Sequence, residues 1–61
     1  MELKMKWIKI RPEKGVLWTA DLIEDDKLTK NIGGAYSKIT PLIKDAQLTW
    51  GELNYRIVQP S

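Results

Sequence analysis

The chain contains no cysteine, no histidine and no phenylalanine. Without cysteine there is no disulfide, no thiol nucleophile and no sulfur-ligated zinc, and without histidine there is no imidazole base or ligand. Apolar residues never run beyond the three of Val16-Leu17-Trp18, far short of the ~20 that cross a bilayer as a helix. The opening Met1-Glu2-Leu3-Lys4-Met5-Lys6 alternates charge with apolar side chains and has no signal-peptide block. These absences predict a soluble, cytoplasmic protein with no cofactor and no membrane partner. They also predict a protein that is not an enzyme. Ser37 and Ser61 have no histidine to act as base, and a serine–lysine pair is available only between Ser37 and Lys38 or Lys44. Gly33-Gly34 is not followed by Lys-Ser/Thr, so no phosphate loop is implied.

What the chain does have is shaped by its size. Sixty-one residues make a single small domain, 1–61. A domain of this length buries about 60% of its unfolded surface and draws roughly 3–5 kcal/mol from its core. Large side chains or a partner must compensate for the missing disulfides and metals. Trp7, Trp18, Trp50, Tyr36 and Tyr55 stand in for phenylalanine, beside seven isoleucines and seven leucines. Charge is segregated along the chain: residues 1–15 carry +3, residues 16–26 carry −4 and residues 27–61 carry +3. That pattern is not the basic saturation of a nonspecific DNA coater.

Residues 2–11 read as a strand with a change of phase. Leu3 and Met5 share one face, then Ile8 and Ile10 take the opposite parity. Either a β-bulge at Trp7-Ile8 or a strand covered on both faces accounts for this. Pro12-Glu13-Lys14-Gly15 predicts a hairpin loop, because proline presets an early turn position and glycine accepts positive φ at its end. A second strand follows over 16–24, then a polar turn at Glu24-Asp25-Asp26-Lys27. Residues 27–32 read as a short strand or an irregular crossing, broken by Gly33-Gly34. Thr40-Pro41 reads as N-cap and first residue of a short helix, with Leu42, Ile43 and Ala46 as its buried side.

The tail sets two rules against each other. Thr49-Trp50-Gly51-Glu52 fits a helix capping box, whereas Leu53, Tyr55 and Ile57 alternate with polar residues as a half-buried strand does. Gly51 disfavours the helix and Tyr55, Ile57 and Val58 favour the strand, so a strand over 52–58 is expected. Leu48-Thr49-Trp50-Gly51-Glu52-Leu53-Asn54 resembles a short motif near the start of the adenylation domains of nonribosomal peptide synthetases, where it opens a helix. The likeness spans seven residues of a chain far shorter than such an enzyme.

The expected fold is therefore α+β: an N-terminal β-hairpin of 2–11 and 16–24, a short helix near 41–48 and a C-terminal strand. The alternative is an all-β five-stranded SH3- or OB-like small barrel, with 35–40 and 45–50 as strands. The expected core is Leu3, Met5, Ile8, Ile10, Val16, Trp18, Leu22, Ile39, Leu42, Ile43, Leu53 and Ile57.

Two functions fit this reading. The first is a protein-interaction module, an inhibitor or adaptor of the kind phages and mobile elements encode, acting by occupying a partner's surface or pairing with itself as a homodimer. The second is a single-stranded nucleic-acid binder, in which lysines hold phosphate and a tryptophan stacks on bases. Either would use the same candidate residues: Lys4, Lys6, Trp7, Lys9 and Arg11. Lysines on an outer strand face also serve solubility and edge protection, and the acidic 21–26 block would repel phosphate. Glu24-Asp25-Asp26 lacks the alternation and glycine of a calcium loop.

Overall fold

Residues 5–59 are described by the structure, a computed structural model. Among them the chain forms, in order, β1 (Lys6–Pro12), β2 (Trp18–Glu24), β3 (Lys27–Asn31), α1 (Ile39–Trp50) and β4 (Tyr55–Ile57). The sheet order is β3-β2-β1-β4, with β1 antiparallel to β2, β2 antiparallel to β3, and β4 parallel to β1. This is the α+β arrangement expected from the sequence. The barrel alternative fails because 45–50 is helical.

The parallel pairing governs the topology. Parallel neighbours cannot be joined by a tight turn and need a crossover of a dozen or more residues. Here the chain leaves the β3 edge, crosses one face of the sheet as α1 and returns as β4 on the far edge. The helix packs on β2 and β1. Ile8 and Ile10 of β1, Ala20 of β2, and Leu42 and Ala46 of α1 are fully buried where they meet. Trp18, Ile32, Tyr36, Ile39, Ile43, Trp50 and Leu53 close around them. Two alanines at this contact let the helix approach closely, and their small size hid them from a reading that looked for large core residues.

The β1–β2 register runs unbroken from Lys6↔Glu24 to Pro12↔Trp18, so no bulge lies at Trp7-Ile8. Instead β1 keeps one regular alternation, with Ile8 and Ile10 under α1 and the odd-numbered residues half-buried on the other face. The irregularity falls in β3, between the Leu22↔Lys30 and Ile23↔Leu28 pairs. The extra residue there, Thr29, donates its hydroxyl to the Leu22 carbonyl at 3.1 Å.

Several expected core residues are corrected. Val16 is 80% exposed because the first loop spans Glu13 to Leu17, one residue beyond the predicted strand start. The Leu17 N–H donates to Lys14 O at 3.1 Å and Gly15 sits at φ +62°, which ends the turn before β2 begins. Met5 precedes β1 and is 74% exposed, while Ile57 is 42% exposed beyond the reach of the helix. Leu3 lies outside the described residues.

The β2–β3 connection is a two-residue turn in which Asp25 and Asp26 both have positive φ, 52° and 66°. That conformation matches the twist of the flanking strands, and aspartate tolerates it. The helix starts before Thr40: Lys38 is the extended N-cap residue, and Pro41 falls within the first turn, where its missing N–H breaks no bond. It ends at Gly51, φ 103°, whose N–H donates to Gln47 O at 2.8 Å. The seven-residue Leu48–Asn54 segment thus closes a helix here instead of opening one.

The crossing segment is pinned at Tyr36. Trp18 and Tyr36 exchange backbone hydrogen bonds of 2.7 Å, and the Tyr36 hydroxyl donates to Asp45 Oδ2 at 2.8 Å. That hydrogen bond, reinforced by desolvation, raises the Tyr36 phenol above its ordinary value of 10.0. A raised folded-state pKa stabilises the fold fully below the unfolded value and is lost as pH climbs through the folded one.

Two outcomes are expected. Leu42→Ala should cost roughly 2–5 kcal/mol and Ala46→Leu about 1–3 kcal/mol by overpacking, whereas Val16→Ala should stay within about 0.5 kcal/mol; urea denaturation measures all three. In an alkaline titration followed at the tyrosinate band, Tyr36→Phe should remove an absorbance component that rises above pH ~10, and should flatten the loss of stability in that range.

Candidate functional site

Strand alternation sorts the predicted site residues onto opposite faces. The even-numbered residues of β1 face the helix and the odd-numbered ones, Trp7, Lys9 and Arg11, face away from it. Lys6 therefore leaves the group: it lies on the helix side, where its amine is 3.7 Å from Glu24. Lys4 lies outside the described residues. Trp7, Lys9 and Arg11 lie together on the face away from the helix.

The pairing register then adds residues from the other strands. Trp7 is opposite Ile23, which is opposite Leu28, so an apolar row crosses three strands. Ile23 is buried between its neighbours while Leu28, on the β3 edge, is 58% exposed. The next row is polar: Arg56, Lys9, Asp21 and Asn31. Arg11 and Thr19 form the third. No helix covers this face among the described residues. It is an amphipathic surface with an apolar row at one end and charges beside it.

Arg56 was not foreseen, and it changes the site most. Its guanidinium carbon lies 5.4 Å from the centroid of the Trp7 ring, a cation–π contact worth ~0.5–1 kcal/mol where water is near. Its alternation within the tail strand was visible in the sequence. That β4 would lie beside β1 was not, because parallel pairing across a long crossover leaves no local signal. Beneath this end, Lys6, Trp7, Asp26, Tyr55 and Arg56 help to line a cleft of about 250 Å³.

The polar end is a closed network. Asp21 is fully buried, and its Oδ2 accepts from Arg11 Nε at 2.6 Å while Oδ1 accepts from Asn31 Nδ2, also at 2.6 Å. Asn31 Oδ1 accepts the Gly33 N–H at 2.7 Å, and the Thr19 hydroxyl donates to Gly34 O at 2.9 Å. Arg11 also approaches Glu13 at 3.4 Å. The hydrogen bond to Asp21 outweighs desolvation and raises the Arg11 pKa above its ordinary value. Arg11 is thus committed to internal partners, leaving Lys9 and Arg56 as the cations of the face that no described acid pairs within 4.0 Å. The acids of the β2–β3 turn are occupied differently: Asp25 Oδ1 accepts the Met5 N–H at 3.2 Å, and Glu24 faces Lys6.

No protein-family model matches the chain, and no curated protein and no solved structure is found to be similar to it.

Arg11→Ala would strand the Asp21 carboxylate with only Asn31 and should cost about 3 kcal/mol. Adding Asp21→Ala should restore part of that loss, giving a coupling of at least ~1 kcal/mol in a double-mutant cycle read by urea denaturation. Strict additivity would mean that the ion pair does not hold the face together.

Proposed function

We propose that this chain is a non-enzymatic protein-interaction module that docks a partner through the uncovered face of its sheet. The observation that carries this reading is the Trp7–Ile23–Leu28 row set beside Arg56 and Lys9. Protein interfaces centre on buried aromatic and aliphatic anchors with arginine close by, and their rims are polar. The Arg11–Asp21–Asn31 network, centred on the buried Asp21 carboxylate, supports it by holding the neighbouring polar side chains in place, so that less side-chain entropy is lost on docking.

Single-stranded nucleic acid is the second reading, favoured by Lys9 and Arg56 flanking Trp7. Two features weigh against it. Arg56 already occupies one face of the indole, and Arg11 is neutralised by Asp21 and Glu13, so phosphate would meet few free cations.

A photo-crosslinking amino acid placed at Leu28, with the same probe at Val16 as the control, tests the proposal in cells that produce the protein. A discrete adduct at Leu28 alone is expected. Binding of that partner, once purified, should then fall at least ~10-fold in Trp7→Ala and in Leu28→Ser. Adducts that form equally well at Val16 would remove the site from this face. Tryptophan quenching by single-stranded oligonucleotides that weakens steeply with salt would favour nucleic acid instead.

A further inference from the structure

The two edges of the sheet are built differently. The β3 edge carries Lys27 and Lys30 and a bulge at Thr29, devices that keep a strand edge from pairing with other chains. The β4 edge has neither. Its only charge, Arg56, points to the open face and bends over Trp7. Tyr55 and Ile57 lie on the opposite side, at 45% and 42% exposure, because α1 packs on β2 and β1 and stops short of β4. Val58 follows at 38%.

The backbone of β4 is half used. Asn54 O accepts from Ile8 N at 2.9 Å and Val58 N donates to Ile10 O at 2.7 Å, so the even-numbered residues bond inward to β1. By alternation, the N–H and C=O groups of Tyr55, Ile57 and Gln59 point outward, along an edge that no described strand pairs.

From this edge we infer that β4 pairs with β4 of a second copy, antiparallel about a twofold axis at Ile57. The register follows from chemistry. Only the odd-numbered residues have free groups, so they must form the hydrogen-bonded pairs. An axis at Arg56 satisfies this but sets two guanidinium groups directly opposite each other, which is unfavourable. An axis at Ile57 also satisfies it, and sets Arg56 opposite Val58 of the second copy. Ile57 then meets Ile57 and Tyr55 meets Gln59 on the side that the helix leaves bare. Such an interface is self-complementary, as twofold symmetry requires, and it joins two four-stranded sheets into one. Being short, it is expected to be a weak dimer. It uses none of the Trp7–Ile23–Leu28 row, so a partner could dock while the dimer is intact.

Sedimentation equilibrium from about 10 µM to about 1 mM, with melting temperature followed over the same range, is the first measurement. A mass rising toward twice 7.1 kDa and a melting temperature rising with concentration are expected. A mass of 7.1 kDa throughout overturns the inference. The second measurement uses a synthetic chain with N-methyl-Ile57, which removes an outward donor while leaving every β1–β4 bond in place. It should keep the far-UV spectrum and remain monomeric. Should that chain not fold, Ile57→Lys, which places a charge on the edge, reads the same property. A dimer that persists in whichever variant folds places the contact elsewhere and also overturns the inference. A mixed-label sample fixes the register: an intermolecular contact between the Arg56 and Val58 α-protons supports it, and one between two Arg56 α-protons refutes it.

Discussion

One helix has to cover one face of a four-stranded sheet, and everything else in this molecule depends on how far that cover reaches. Among the described residues only the twelve of α1 are α-helical. They lie over the β1–β2 pair, where Ile8, Ile10 and Ala20 receive Leu42 and Ala46. In a domain this small no second layer is available, so the opposite face must be stabilised by side chains alone. That is why an arginine and an asparagine close over the buried Asp21 carboxylate there, and why Trp7 lies under Arg56.

The same limit leaves surface unspent. A helix centred on β1 and β2 does not reach β4, so Tyr55 and Ile57 stay half exposed. At the end of the apolar row on the open face, Leu28 stands clear at the β3 edge. These are different surfaces with different chemistry. One is a sheet face with an apolar row and cations beside it. The other is a strand edge with free backbone groups, suited to another strand.

The central position of β1 also changes what the basic N-terminal segment can do. Read as a strand at the sheet edge, its lysines would be edge protection. Between β2 and β4 its backbone is used on both sides, and its odd-numbered side chains become the middle of a surface. Lys6, one residue from Trp7 in the chain, ends on the other side of the sheet. No helix of the described residues is long and apolar enough to cross a membrane.

Much of this was legible in the sequence because it depends on local physics. The first hairpin, the helix around Pro41–Leu48 and the strand at Tyr55–Ile57 follow from turn residues, periodicity and β-propensity, each acting within a few residues. The candidate set Lys4, Lys6, Trp7, Lys9 and Arg11 was read as one group, whereas alternation along the regular β1 puts Lys6 on the face opposite Trp7, Lys9 and Arg11. The rest required the tertiary structure, because it depends on which strands become neighbours. The loop took one more residue than the turn signal implied, which put Val16 in water. Ala20 and Ala46 became core only because a helix crosses there. Arg56 joined the site and Asp21 became buried through a pairing register that spans tens of residues. Local sequence determines the direction each side chain takes from its own strand, and only the assembled sheet decides what that direction meets.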